Sequence, residues 1–296
     1  MVDLLVGNTP FLKIGDRLYA KFEAYNPSGS IKDRMVSYII TRAQESLAVR
    51  AGTTIVEASS GNTGIAIARL AAKNGYGCVI VMPRNMSEER KQMMKAYGAQ
   101  IIEVGDNAFK DAIKTRDELL TNFGHYWSPM QFENPLNVEC HAKTTAREIA
   151  SAVATLPRRL SAVVSGAGTG GTIMGCQSYL STIWHDAKFL LVQPAEPALC
   201  HGIQGINDGA DFLVDKSLID EDLIVTTAEA KARAAKLAST AGLLVGTSSG
   251  ANVLAAERWI VENDPQGIVV TFLCDRGERY LSGSKSRVSS WKGTYR

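Results

Sequence analysis

Short β-branched runs alternate with longer amphipathic segments along nearly the whole chain, and this alternation limits the fold more than any other feature of its 296 residues. "TTIVEAS" (53–59) reads as a strand and "NTGIAIARLAAKNG" (62–75) as the helix after it. "GCVIVMP" (77–83) is another buried strand, followed by the helix "SEERKQMMKAYG" (87–98), where Ser87 with Glu88 and Glu89 suits a helix start. "QIIEV" (100–104) and a polar helix from about Phe109 to Phe123 complete a first series. In a second series "LSAVVSG" (160–166) precedes a helix from Gly171, "KFLLVQP" (188–194) is a strand, and "TAEAKARAAKLASTAG" (227–242) is a helix ending on glycine. "LLVG" (243–246) reads as a strand, "SSGANVLAAERWIVEN" (248–263) as a helix, and "GIVVTFLC" (267–274) as the strand that closes the sheet.

Such alternation means parallel sheets covered by helices. The loop-like "YWSPMQFENPLN" (126–137) separates the two series. The expected fold is therefore α/β, with two three-layer αβα domains, mostly parallel sheets and a cleft between them. The domains are expected over 1–135 and 136–296, with the first strands free to pair with the second domain's sheet.

Composition narrows the function. A formal charge of +2 argues against nucleic acid or an anionic membrane surface as partner. No apolar run approaches the roughly 20 residues of a membrane helix, and the N-terminus lacks a signal-peptide pattern. The five cysteines, Cys78, Cys140, Cys176, Cys200 and Cys274, are scattered without a CxxC pair, so they read as reduced thiols of a cytoplasmic protein. His125, His141, His185 and His201 have no ligand spacing and read as structural; no metal is expected. The basic tail "SGSKSRVSSWKGTYR" (282–296) reads as a solvated surface segment.

In α/β sheets the ligand sits where strands hand over to helices, and these turns carry unusual residues here. "SSGNTG" (59–64) sets Ser60, Asn62 and Thr63 beside free backbone N–H groups, a nest suited to a carboxylate or phosphate. In "SGAGTGGT" (165–172), Gly166, Gly168 and Gly171 satisfy GxGxxG, the pattern of a dinucleotide site. The acid that should confirm it is badly placed: Asp186 precedes the next strand and Glu196 lies about 25 residues past Gly171. "GTGGT" equally suits a single phosphate wrapped by backbone amides, the simpler ligand and the favoured one. "VGTSSGAN" (245–252) puts Ser248 and Ser249 at a helix start, as caps or facing a neutral acceptor on a ligand. Finally, "NPSGSIKDR" (26–34) is a turn that opens a helix on Lys32, where the helix dipole disfavours a cation.

An amine that loses its proton easily, a phosphate cup and an anion nest together suggest pyridoxal 5'-phosphate. The blocks that carry these residues bring a resemblance. From "VGNTPFLKI" (6–14) through "NPSGSIKDR", "EASSGNTGIA", "QFENPLN", "GTGGTI", "GIQGIN" and "GTSSGA" to "CDRGERYLS" (274–282), the chain resembles cysteine synthases. These are pyridoxal-phosphate β-replacement enzymes of the tryptophan-synthase β-like fold (fold type II). "MPRNMSEERKQMMKAYGA" (82–99) and "CDRGERYLS" look more like the B-type than the A-type.

The resemblance implies a cofactor in the cleft, with Lys32 as its Schiff-base lysine and as general base. It implies that Asn62 bonds the ring hydroxyl, that Gly168, Thr169, Gly170, Gly171 and Thr172 cup the phosphate, and that Ser248 faces the pyridine nitrogen. Ser59, Ser60, Gly61, Thr63 and Gln131 are implied to hold the substrate carboxylate, and Gly202, in the stretch 202–205, to line the cleft; Asp33 and Arg34 are structural. The implied reaction is β-replacement of O-acetyl-L-serine, or another activated serine, by sulfide through an α-aminoacrylate. A homodimer and a partnership with serine acetyltransferase are implied too. Related chemistries share all these motifs: use of O-phosphoserine, cystathionine or lanthionine formation, and cysteine desulfhydration. Three departures from the family pattern bear on the substrate: Ser59 where threonine is common, Arg147 in "TTAREI" in place of proline, and Asp208 in "GIQGINDG". Cys274, at a strand end, reads as a packed thiol.

Overall fold

A computed structural model describes residues 5–59, 61–106, 108–197, 202–203, 205–206 and 212–281. The chain enters through β1 (Phe11–Lys13) and β2 (Leu18–Phe22), turns into α1 (Lys32–Glu45), and continues as β3 (Thr54–Ala58) and α2 (Asn62–Asn74). Next come β4 (Gly77–Pro83), α3 (Glu88–Ala96), β5 (Gln100–Val104), α4 (Phe109–Asn122) and β6 (Tyr126–Trp127). The second series is α5 (Leu136–Lys143), α6 (Thr145–Ala154), β7 (Leu160–Gly166), α7 (Gly171–Leu180), β8 (Lys188–Pro194) and β9 (Glu221–Val225). It finishes with α8 (Thr227–Ala241), α9 (Thr247–Asn263) and β10 (Ile268–Leu273).

Two sheets result, with strand orders β1-β2-β10-β7-β8-β9 and β5-β4-β3-β6. Among the named strands of the described residues only the β1–β2 pair is antiparallel. The strands read as continuous apolar runs because helices cover both faces, and their period of two assigns each residue to a side. On the six-stranded sheet Val164, Leu190, Val192, Val269 and Leu273 pack with Ala251 and Trp259. The alternate residues Val163, Phe189, Leu191, Val270 and Phe272 pack with Ile149 and Ile173. On the other sheet Ile55, Ile80 and Met82 face Met35, Ile39 and Ile67, while Val56, Val79 and Val81 face Ala112. Each such fully buried aliphatic side chain contributes roughly 1.5–3 kcal/mol. The architecture is α/β, with parallel sheets in αβα layers.

Several local expectations need correction. β10 does not close its sheet; it lies between β2 and β7. "LLVG" makes no strand, only an isolated bridge from Val245 to Arg276, because the chain needs those residues to turn directly into α9. The segment 126–137 is not all loop: Tyr126 and Trp127 add β6 to the edge of β3. Ser87 sits at the N-cap of α3 without a capping hydrogen bond, its buried hydroxyl without a partner among the described residues, so Glu88 and Glu89 in the first turn supply the favourable charge there. Among the described residues no helix is long and apolar enough to cross a membrane.

Candidate active site

Lys32 is the first residue of α1, behind the N-cap Ile31. The preceding turn is fixed by Asp33, whose buried carboxylate accepts from the Ser28 amide (2.8 Å) and hydroxyl (2.7 Å) and from Arg69 (3.2 Å). The same turn is stitched to the end of β10, with Ile31 N–H donating to the Cys274 carbonyl (2.9 Å) and a bridge joining Ser30 to Asp275. The half-buried Lys32 amine is thus set between two elements far apart in sequence. Burial lowers its pKa, and nearby Cys274 and Asp275 oppose that effect. The Cys274 thiol is pushed up to about 12 by burial; it accepts from Asn252 Nδ2 (3.5 Å), and the Cys274 amide donates to the Ser249 hydroxyl (2.9 Å), next to the buried Ser248. Cys274 is packed against the core beside β10, as expected of a thiol at a strand end.

The turn between β3 and α2 carries the second group. Ser59 is turned inward, its Oγ accepting from the amides of Gly61 (3.3 Å) and Gly64 (3.0 Å), so this hydroxyl shapes the turn. Ser60 lies outside the described residues. The amides of Asn62 and Thr63 have no acceptor among the described residues, and the first turn of α2 holds no acid. Thr63 Oγ1 donates to Gln131 Oε1 (2.7 Å), and Gln131 Nε2 donates to the Ala58 carbonyl (3.2 Å). Beneath them the buried Glu57 accepts from the Gln131 amide (3.1 Å) and from Arg116 (3.1 Å). The Asn62 side chain donates to Asp275 Oδ2 (2.6 Å) and accepts from Arg279.

The third group is the start of α7. Gly170 holds φ +92°, and a Cβ there would stand 2.6 Å from Val214 Cγ2. At Gly168 a Cβ would meet the Gly205 carbonyl at 2.8 Å, and at Gly171 the Asn137 Oδ1 at 2.1 Å. The amides of Gly170 and Thr172 find no acceptor among the described residues, and Gly171 has only Thr169 Oγ1 at 3.4 Å. Such a set of inward N–H groups on a helix start is an anion cup. Asn137 braces it, donating to both Thr169 Oγ1 and the Gln131 carbonyl at 2.9 Å. His141 bridges Thr145 Oγ1 (2.9 Å) and Thr172 Oγ1 (3.3 Å). Burial first, then Arg34 and Lys32, keep its pKa well below the ordinary value, so it is neutral.

The structure thus ties the turn before Lys32 and the helix start at Ser249 to the Cys274 backbone, Thr63 to Gln131, and Thr172 of the glycine turn to His141. Gly202 is different: its amide donates to Thr227 Oγ1 at the start of α8 (2.9 Å), and no described contact ties it to Lys32. Arg147 is exposed and lies over the Tyr179 ring, 5.3 Å from its centroid. Asp208, His201 and Cys200 lie outside the described residues.

Sequence reasoning passed over Asp275, Asn137 and the bracing role of His141. A signal existed for the last two, since Asn137 and His141 are four apart on α5 and so share a face. For Asp275 it was only the block "CDRGERYLS" itself. The residues present fit pyridoxal phosphate: an amine with a weakened hold on its proton, a cradle that side chains at 168, 170 and 171 would fill, and a buried hydroxyl at Ser248.

Comparison with known proteins agrees with the geometry. A probable cysteine synthase of Bacillus subtilis (strain 168) is 36% identical over 294 residues, covering 94% of each chain. A hydrogen sulfide-producing enzyme of Fusobacterium nucleatum superposes with a TM-score of 0.89 at 35% identity, over 96% of this chain and 91% of that one. The O-acetylserine dependent cystathionine β-synthase of Helicobacter pylori does so at 0.86 and 33%, over 94% and 95%. The family model described as pyridoxal-phosphate dependent enzyme matches residues 2–275, and the chain belongs to that family of enzymes.

Proposed function

We propose that this enzyme is a cysteine synthase, which displaces acetate from the β-carbon of O-acetyl-L-serine with sulfide and releases L-cysteine. The observation that supports this most is the setting of Lys32, an amine at the mouth of α1 whose burial favours the neutral, basic form. Pyridoxal phosphate, when bound, supplies an electron sink for charge that develops at the substrate α-carbon. Lys32 anchors it, the amides from Gly168 to Thr172 hold its phosphate, and Asn62 and Ser248 meet its ring hydroxyl and ring nitrogen. A serine hydroxyl cannot match a carboxylate in protonating that nitrogen, which favours departure of the β-substituent. Ser60, Gly61, Thr63 and Gln131 hold the substrate carboxylate on the turn that Ser59 shapes from within, and their closure excludes water. Lys32 takes the proton from Cα and returns one there after sulfide has added. Gly202 lines the substrate side of the cleft.

The similarity to a sulfide-producing enzyme and a cystathionine synthase favours a second reading in the same site: β-elimination of cysteine, or β-replacement with another thiol. In either case we take the chain to work as a homodimer in the cytoplasm, divided into domains 1–135 and 136–296, with serine acetyltransferase as a partner. A panel of O-acetylserine, O-phosphoserine, serine and cysteine, each with sulfide or homocysteine, decides between the two chemistries. Cysteine from O-acetylserine and sulfide as the fastest product is the expected outcome; no cysteine from any activated serine overturns it.

A further inference from the structure

Glu57 is the one charged residue of β3, and it is fully buried. Its Oε1 accepts from the Ala58 amide (2.9 Å) and from Arg116 Nη1 (3.1 Å), and its Oε2 accepts from the Gln131 amide (3.1 Å). All three partners are N–H donors, which suits a carboxylate that accepts on both oxygens. Arg116, on α4, is buried as well and spends its other nitrogens on Asp117. A buried carboxylate–guanidinium pair gives no stability advantage over apolar side chains of the same volume. What this pair adds is an acceptor for the backbone amide of Gln131. The rest of Gln131 is held too: Oε1 accepts from Thr63 Oγ1 (2.7 Å), Nε2 donates to the Ala58 carbonyl (3.2 Å), and its carbonyl accepts from Asn137 (2.9 Å). Nε2 carries two hydrogens, and the described contacts use one of them. The loop does not favour this shape by itself, because Met130 just before Gln131 takes φ +53°, the left-handed region that a side chain disfavours.

We infer that Glu57 is a positioning residue: by holding the Gln131 amide from beneath, it keeps the Gln131 side chain beside Thr63 with one N–H left for the substrate carboxylate. This deepens the proposed function and rests on Gln131 binding that carboxylate. Arg116 holds Glu57 in turn, so the chain of contacts runs from α4 through β3 to the substrate side of the site. The role needs a carboxylate and not merely a polar side chain of that size. In Glu57→Gln an NH2 replaces one oxygen. The remaining oxygen serves best on the side of the two donors, Ala58 and Arg116. That turns the NH2 against the Gln131 amide, donor to donor, and the amide loses its acceptor.

The test titrates L-serine into the holoenzymes of wild type, E57Q, Q131A and E57Q/Q131A and reads the visible absorption of the cofactor. L-Serine carries the α-amino and α-carboxylate groups of every candidate substrate and lacks an activated leaving group. E57Q is expected to bind as much cofactor as wild type but to need about tenfold more L-serine for half of the spectral change. In the Q131A background the same substitution is expected to change nothing further, because the side chain it positions is gone. A merely structural Glu57 would lower Tm and weaken L-serine binding by the same factor in both backgrounds. That result, or E57Q binding L-serine as wild type does, overturns the proposal. If E57Q fails to fold or to hold cofactor, the same comparison is made with E57D, which keeps the charge beside Arg116 and draws the oxygens back by one methylene; unchanged L-serine binding there overturns the proposal equally. Q131A binding L-serine as tightly as wild type refutes the carboxylate site of the proposed function, and the role of Glu57 falls with it. Failure of wild type to turn over O-acetylserine counts against the proposed reaction and not against Glu57.

Discussion

At Lys32 two tendencies of the chain collide. A lysine side chain holds its proton strongly in water, but a helix start and a buried site both disfavour the ammonium. The neutral amine becomes available nearer neutral pH than on a surface lysine, and Cys274 and Asp275 limit how far this goes. The residue scale also decides the anion cup. Gly170 at φ +92° is a position where a side chain costs roughly 1–2 kcal/mol of backbone strain before any clash, and there the clash is with Val214. Gly170→Ala is expected to lose most of the visible cofactor absorption per protein, with far-UV circular dichroism unchanged. Full cofactor content in that variant would show that the cup does not depend on this turn. Lys32 and the glycine run at 168–171 were legible in the sequence because each breaks a local habit of its position, whereas Ser248 reads locally as an ordinary helix cap and is singled out only by the resemblance. Asp275 was not legible, because a carboxylate after a strand is unremarkable until the Asn62 and Tyr280 hydrogen bonds are seen.

At the scale of elements, α5 does more than connect the two series. Its first turn places Asn137 between the Gln131 loop and Thr169, and its second places His141 beneath Thr172. The Gln131 loop and the glycine turn before α7 are therefore held by one side chain. Asn137→Ala leaves buried polar groups of both loops short of a partner, at about 1–3 kcal/mol. Weaker cofactor retention and a higher KM for the amino acid are expected to appear together; a change in only one would mean that the loops are positioned independently. Most strands and helices of the chain were readable from periodicity, because each is long and buried on a defined face. β6 was not, since two residues carry no period, and "LLVG" misled because an apolar run before a helix looks the same as a strand. The place of β10 between β2 and β7 is decided by pairing across the sheet, which a one-dimensional pattern does not contain.

On the scale of the whole molecule, the first strands join the sheet of the second series, so the Lys32 turn hangs from β2 on one side and from the end of β10 on the other. A buried charge network secures that crossing: Arg34 pairs with Glu23 (2.7 Å) and Glu148 (2.6 Å), and Lys21 with Glu148 (2.7 Å), joining β2, α1 and α6. Burial would raise the Glu148 pKa, but Arg34 and Lys21 more than offset it and hold the carboxyl at about 2. Under the proposed function, it is Lys32, out of the many lysines along the chain, that this crossing sets to hold the cofactor. Borohydride reduction of the holoenzyme followed by peptide mass mapping reads this out directly. The account predicts the reduced cofactor on the peptide bearing Lys32 and on no other; a label on a different lysine, or no covalent label at all, would contradict it.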